Sequence, residues 1–432
     1  MDIEHWQVEN DFGWGPEGAA ELDAQDALAG FRDEFHVPVS DGKPLHYLCG
    51  HSLGLMPRGA RESVERELDR WATRAVEGHF DGTEGWLGFH ERFSAPLARL
   101  AGALAGEVVV MNTLTVNLHL MMASFFRPTR SRYKILIERD AFPSDRYAVR
   151  SQIELHGLDP ADALLELDPV PDSGLLDVEH FDALLEAEGE RVALVLLPGV
   201  QYLTGQALDM AHYTLSARRH GCRIGFDLAH AIGNVPLDLH AAGPDFAVWC
   251  SYKYLNAGPG AVAGCFVHER WSAEPTLVRL AGWWGHDKPS RFSMPATFAP
   301  IPGAEGWQLS NPPILSLAPL AASLDLFGRA GLPQVRQKSL QLGAYARRLL
   351  ERWLPDRARV LTPGEPGGRG NQISVRIPSA AGRGPELTGA LRAAAVVADW
   401  REPDTLRLSA CPLYNRYADV YAAVAALRRL VD

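Results

Sequence analysis

From residue 108 to residue 267 the chain alternates short, unbroken apolar runs with longer stretches whose apolar residues recur every three or four positions. The runs are Val108–Met111, Tyr133–Ile137, Val192–Leu197, Arg223–Phe226, Phe246–Cys250 and Val262–Val267. Continuous apolarity over strand length predicts strands buried on both faces. Between them Val116–Phe126, Pro143–Glu154 and Met210–His220 carry helical spacing, which predicts an α/β architecture: a mainly parallel sheet flanked by helices. Residues 60–105 are also helical in spacing (Val64, Leu68, Trp71, then Leu97, Leu100, Leu104), whereas residues 1–60 read as irregular. Trp271–Pro313, dense in Gly, Pro, Trp and Phe, is too long for a plain connector and reads as a functional loop. Beyond it come helices over Leu315–Ala330 and Pro333–Trp353, strands over Gln372–Ile377 and Leu406–Ser409, and a last helix over Asp419–Leu430. Gly364–Gly370 and Ala380–Gly384 read as loops. The expected division is an N-terminal segment 1–60, a large domain 61–315 and a small α+β domain 316–432.

Composition narrows the class. The 432 residues are 47% hydrophobic and 22% charged, which is globular and long enough for more than one domain. Acidic residues outnumber basic ones 53 to 42, a net charge of −11 that argues against a nucleic-acid partner. No apolar run approaches the roughly 20 residues of a membrane helix, so no membrane association is expected. The acidic start, Met1-Asp-Ile-Glu-His-Trp6, lacks an export signal. The five cysteines have neither CxxC nor zinc-like spacing and read as reduced, buried thiols of a cytoplasmic protein. The 15 histidines show no HExxH or paired-ligand spacing, so no metal is expected. Only five of the 42 basic residues are lysines: Lys43, Lys134, Lys253, Lys288 and Lys338.

Parallel sheets present ligands at the carboxyl ends of their strands. Asp227 ends Arg223–Phe226, with His230 three residues on; an isolated Asp there reads equally as a helix cap or a salt-bridge partner. Lys253 follows the run Phe246–Cys250, between Tyr252 and Tyr254 and ahead of a Gly-Pro-Gly turn. The other four lysines have no distinctive setting. A lysine among aromatic residues suits a Schiff-base amine, and pyridoxal phosphate needs that amine plus an Asp at its ring nitrogen. Val108–Val116 runs strand into helix, so the amides of Leu114 and Thr115 and the Thr115 hydroxyl can face a phosphate, or Thr115 is an ordinary cap. Phe142 follows the second strand and offers a stacking face, or is core.

Phe226-Asp-Leu-Ala-His-Ala-Ile-Gly-Asn-Val-Pro-Leu237 and Trp249-Cys-Ser-Tyr-Lys-Tyr-Leu-Asn-Ala-Gly-Pro-Gly260 closely resemble the kynureninase family. So do Ser52-Leu-Gly54, Leu114–Leu118, Phe142-Pro-Ser-Asp145, Thr204-Gly-Gln206, Ser310–Leu315 and Pro412-Leu-Tyr-Asn415, in the same order from about Tyr47 onward. The resemblance implies the fold type I of pyridoxal-phosphate enzymes, with the N-terminal segment packed on the small domain, and a homodimer. It implies hydrolysis of the Cβ–Cγ bond of L-kynurenine, or of a ring-substituted kynurenine, to an anthranilate and L-alanine. It also implies site roles. Lys253 carries the cofactor, Asp227 pairs with its ring nitrogen, and His230 and Asp145 lie beside it. Leu114, Thr115, Tyr252 and Trp283 hold the phosphate, with Asn311 also near the cofactor, and Phe142 stacks on the ring. Ser52, His79, Trp284, Ser310 and Asn311 contact substrate, and Arg407 clamps its α-carboxylate. Tyr252 is the expected proton donor in catalysis, beside Lys253 and Asp227.

Three positions depart from the family pattern: His51 in Gly50-His-Ser-Leu-Gly54, Pro198 in Leu197-Pro-Gly199, and Trp284. The rival readings are another fold-type-I enzyme, such as a class V aminotransferase or a cysteine desulfurase, and a pyridoxal-phosphate-binding protein without turnover. A desulfurase wants a mobile cysteine, and Cys250 and Cys265 lie in strand-like runs.

Overall fold

The computed structural model describes residues 13–431 except 273, 275 and 276. Its centre is a 7-stranded sheet. The strands are β1 (Val108–Val110), β2 (Lys134–Glu138), β3 (Leu164–Leu167), β4 (Val192–Pro198), β5 (Arg223–Asp227), β6 (Phe246–Trp249) and β7 (Gly264–Val267). Their spatial order is β1-β7-β6-β5-β4-β2-β3, with β7 alone antiparallel to its neighbours. Every expected run of this region is a strand. Because side chains alternate across a strand, each continuous run feeds two cores. Val109, Leu194, Leu196, Phe246 and Val248 pack with the helices Leu114–Phe125 and Pro143–Leu155. Val108, Val110, Val195, Leu197, Ala247 and Trp249 pack on the other face, against helices that include Val178–Glu188 and Ile314–Ala330.

Two elements, one in this sheet and one outside it, are not foreshadowed by the pattern. Strand β3 is a half-buried edge of four residues, Leu-Leu-Glu-Leu, too short to show a period. Within the expected irregular segment, the described residues 13–60 also carry regular structure. A helix over Pro16–Ala24 packs on the last helix, Tyr417–Val431. Asp419 on that last helix, fully buried, is met by Arg32 at 2.9 Å and His46 at 2.7 Å, which ties the two chain ends together.

A second, antiparallel sheet comprises β8 (Arg359–Val360), β9 (Gln372–Arg376), β10 (Asp399–Arg401) and β11 (Thr405–Ser409), in the order β8-β9-β11-β10. It has its own core, which includes Leu342, Leu349, Ile373, Val375, Leu406, Val424 and Leu427. Leu317 through Val335 pack with the large sheet instead, so the change of core falls inside the helix Leu332–Trp353. One apolar stripe along that helix serves both cores, which is why periodicity alone does not place the change.

Candidate active site

Strands β1, β2, β4, β5 and β6 run parallel, so their carboxyl ends share one edge of the sheet. Asp227 ends β5 there, buried, and accepts a 2.7 Å bond from the amide of Ala229. Asp145, in the first turn of the helix after β2, hydrogen-bonds the Asp227 carboxyl group. Burial pushes both carboxyls up, and the neighbouring Asp227 charge pushes Asp145 further. The proton therefore sits on Asp145, which donates to Asp227; the Lys253 ammonium and the Ala229 amide help Asp227 keep the negative charge.

The lysines sort by their partners. Lys134 and Lys338 are buried, contrary to the expectation of an undistinguished setting, but each is paired: Lys134 with Glu188 at 3.3 Å and Lys338 with Asp26 at 2.6 Å. Lys288 bridges Glu91 and Glu305, and Lys43 is exposed. Lys253 is half-buried with no ion-pair partner among the described residues. Its nitrogen lies 5.8 Å from the centre of the Phe142 ring, and its charge acts on Asp227, Asp145 and His230. The turn that carries it is held from outside. The Gly54 amide donates to the Tyr252 carbonyl at 2.8 Å, and a Cβ on Gly54 would sit 2.4 Å from the Lys253 carbonyl oxygen. That close approach accounts for the glycine in Ser52-Leu-Gly54. Ser52 itself is exposed beside it.

Around this pair the expected groups fall into place in part. Phe142 is partly exposed and makes an edge contact with Tyr202, ring centres 5.4 Å apart. His230 is buried, and burial with the Lys253 charge holds it well below the usual imidazole range; its Nδ1 has no partner. Burial pushes the Tyr252 phenol up, so it keeps its proton at neutral pH. The helix Leu114–Phe125 opens with no side-chain cap, leaving its first-turn amides available, and Thr115 Oγ1 lies 3.0 Å from Ser144 Oγ. Thr115 thus does not cap its own helix; it pairs with a hydroxyl from the next one.

Arg407, on β11, is buried and already engaged. It donates to the Tyr202 carbonyl at 2.7 Å and bonds Asp399, its direct cross-strand partner. Asp399 also receives His51 Nε2 and Arg401, each at 3.1 Å, and these partners hold its carboxyl well below the usual range. His51 is buried, and burial together with Arg407 pulls its pKa down to about 4. Arg407 Nε, His51 Nδ1 and Asp145 Oδ1 are buried without partners. Pro198 ends β4 directly opposite Asp227.

The remaining expected residues lie in other segments. The hydrogen bonds and ring contacts of Trp283 and Trp284 stay within the loop that bears them: Trp283 is partly exposed, and Trp284 is buried under Arg291. Ser310 and Asn311 are exposed just ahead of the helix Ile314–Ala330. His79 packs its edge on Trp86 with ring centres 5.2 Å apart. Sequence reasoning missed Asp399, Ser144 and Glu138. Glu138 ends β2 as Asp227 ends β5, so the strand-end argument reaches it; burial raises its carboxyl to about 8. Ser144 sits inside a motif already singled out. Asp399 gave no signal, since its importance rests on a cross-strand neighbour.

Comparison with known proteins gives the family and the fold. Residues 93–378 match the Aminotransferase class-V family model, and residues 335–427 match the Kynureninase C-terminal domain. A kynureninase of Xanthomonas euvesicatoria is 54% identical over 94% of this chain and 96% of its own length. One from Stenotrophomonas maltophilia is 54% identical over 93% and 95%. Among solved structures, a cysteine desulfurase from Thermococcus onnurineus superposes with a TM-score of 0.73 at 16% identity, covering 90% of this chain and 94% of its own. A C-DES variant with glycine covalently linked to its PLP cofactor gives 0.75 at 17% identity, covering 89% and 96%. At that identity the solved structures speak for the fold, whereas the Xanthomonas and Stenotrophomonas relatives match along nearly their whole length. The chain belongs to the kynureninase family.

Proposed function

We propose that this chain is a pyridoxal-phosphate-dependent hydrolase that cleaves the Cβ–Cγ bond of L-kynurenine, giving anthranilate and L-alanine. The observation that carries the reading is an unpaired, half-buried lysine at the end of β6 beside a buried Asp–Asp pair at the end of β5. The residues fit the cofactor. Asp227, kept anionic by the Asp145 proton, suits a protonated ring nitrogen; Phe142 offers a face near Lys253; Leu114, Thr115 and Ser144 offer amides and hydroxyls to a phosphate.

When bound, the cofactor supplies an electron sink for the charge left as bonds at the substrate's α- and β-carbons break. The chain's own groups do the rest. Lys253 Nζ takes the proton from Cα, and water adds to the γ-carbonyl carbon. As the Cβ–Cγ bond breaks, Tyr252 Oη gives its proton to Cβ and recovers one from a hydroxyl of the hydrated γ-carbon, and Lys253 Nζ returns its proton to Cα, which completes alanine. Arg407 binds the α-carboxylate through its open Nε edge, and Asp399 and Tyr202 fix the plane of the guanidinium. If Tyr252→Phe leaves cleavage and product partition unchanged, the assignment of Oη is wrong.

We extend the proposal to a homodimer in the cytoplasm, with Trp283, Trp284, Ser310, Asn311 and His79 completing the aryl and phosphate ends of a site. In support, a cavity of ≈ 650 Å³ between the helix Gly59–Arg74 and the turn at 256–259 is open and mainly apolar, and Leu68, Trp71, Val76 and Phe80 are exposed nearby. The five cysteines are all free and buried, which also disfavours desulfurase chemistry. Cys250 has its thiol pushed up to about 11 by burial.

The test is reconstitution with pyridoxal phosphate. Wild type should show the visible absorbance of the lysine-bound cofactor, and Lys253→Ala should not. Mixing with L-kynurenine and with 3-hydroxy-L-kynurenine then reads out the products by fluorescence and ranks the two substrates. No cofactor band in wild type, or no cleavage of either compound, overturns the reading.

A further inference from the structure

At the edge of the large sheet opposite Lys253, three side chains from distant segments meet. Glu107 precedes β1, His240 lies in the short helix Leu239–Ala242 ahead of β6, and His268 follows β7. These three strands are neighbours in the order β1-β7-β6, and because β7 runs the other way its end joins the starts of the other two. Glu107 is buried. Its Oε1 lies 3.1 Å from His240 Nδ1 and 3.6 Å from His268 Nδ1, and all three donor atoms lie within 4.8 Å of one another. A tetrahedral ion with bonds of 2.0–2.1 Å separates its ligand atoms by about 3.3 Å, so the two measured distances bracket what a metal requires.

The surroundings orient these atoms as a metal site would. The imidazoles stack with centres 5.4 Å apart and planes at 22°, so both Nδ1 atoms converge on one carboxylate. His268 hydrogen-bonds the backbone of His240, and its Nδ1 accepts the Arg270 amide at 3.2 Å. That nitrogen is therefore unprotonated, and its lone pair lies 3.6 Å from an anionic oxygen with no proton between them. Glu107 is held by the amides of Leu104 at 2.9 Å and Glu269 at 2.8 Å, the second layer of bonds that fixes a ligand's direction. Arg270, a nearby cation, is engaged by Asp245 at 2.8 Å and the Gly243 carbonyl at 2.9 Å. Capping explains the Glu107 oxygens. His240 Nδ1 hydrogen-bonds that carboxylate and His268 Nδ1 caps the Arg270 amide, so both ring nitrogens stand beside one oxygen.

We propose that Glu107, His240 and His268 form a binding site for a divalent transition ion of the zinc class. Two imidazole nitrogens and one carboxylate are the donor set for zinc and its neighbours, and not for magnesium or calcium. Bound there, the ion takes the place of the weak Arg270 amide contact and pins the ends of three adjacent strands, away from the catalytic edge. Its role is structural. The ligands are far apart in sequence (Glu107 to His240 to His268), so no spacing motif announces them.

The experiment uses holoenzyme stripped with a chelator and titrated with zinc ion, then magnesium ion, by calorimetry and thermal melting. His240 is partly exposed and outside the catalytic machinery, so His240→Gln should fold and turn over substrate like wild type. Wild type should take up one zinc equivalent that H240Q lacks or binds at least about tenfold more weakly. Its melting point should rise with zinc and not with magnesium, and H240Q should lose that rise. Equal zinc uptake and equal melting shifts in the two proteins would overturn the proposal, and Glu107→Gln provides a second variant for the same comparison.

Discussion

Asp145 and Asp227 have the same side chain and opposite charge states, and substitution should separate them. Asparagine at 145 still donates a hydrogen bond to Asp227, so Asp145→Asn should change cofactor affinity and kcat by no more than about tenfold. Asparagine at 227 removes the charge that a protonated ring nitrogen needs, so Asp227→Asn should lose most activity and bind cofactor much more weakly. Equal losses in the two variants would refute the proton assignment. Glu138 gives a second test at this scale. Its folded pKa near 8 lies above the unfolded value near 4.5, so between these pH values the unfolded chain sheds a proton that the native state retains. Its contribution is fully present below about pH 4.5 and is lost as pH rises, by about 1.4 kcal/mol per unit, until pH 8. Glu138→Gln lacks this titration. Urea unfolding at several pH values should therefore show the variant gaining on wild type as pH rises from 5 to 8.

At the scale of elements, the strand that delivers Lys253 depends on a glycine in its neighbour. Gly264 on β7 pairs directly with Trp249 on β6, and a Cβ there would lie 2.1 Å from the indole. Trp249 is buried with no room to retreat, so Gly264→Ala should destabilise the protein by about 1–3 kcal/mol. Because Trp249 leads straight into the turn at 250–253, cofactor binding should weaken as well; a stable variant with unchanged binding would disprove the link. This dependence was invisible in the sequence, where Gly264 is one residue in an apolar run. What could be read there was local: six apolar runs became six strands, and the residues just beyond them carry Asp227 and Lys253. What could not be read was set across strands or between segments. His51 joins Asp399, Arg407 joins both Asp399 and Tyr202, and Thr115 turns to Ser144. Edge strand β3 and the helix Pro16–Ala24 were missed for a related reason, since each takes its stability from what it packs on.

For the molecule as a whole, the buried Asp419 with Arg32 and His46 anchors the segment before the large domain to the last helix, while Leu332–Trp353 passes from one core to the other. The small sheet, with Arg407, thus shares its core with the last helix and with part of the segment before the large domain. Whole-molecule charge bears on Arg407 in another way. The protein carries a net charge of −11, a field that does not draw in a carboxylate. Asp399 moreover cancels much of what Arg407 would project, because the guanidinium already holds an anion on one nitrogen, while its Nε–H has no partner. In the proposed role, Arg407 therefore recognises its target by touch and not by attraction at a distance. Added salt should then leave kcat/KM nearly unchanged, where a steered encounter would slow steeply. The same fork, half filled before any substrate arrives, works as a gauge: it tests whether a carboxylate lies in the correct plane beside Nε, and an anion in any other orientation gains little from the arginine.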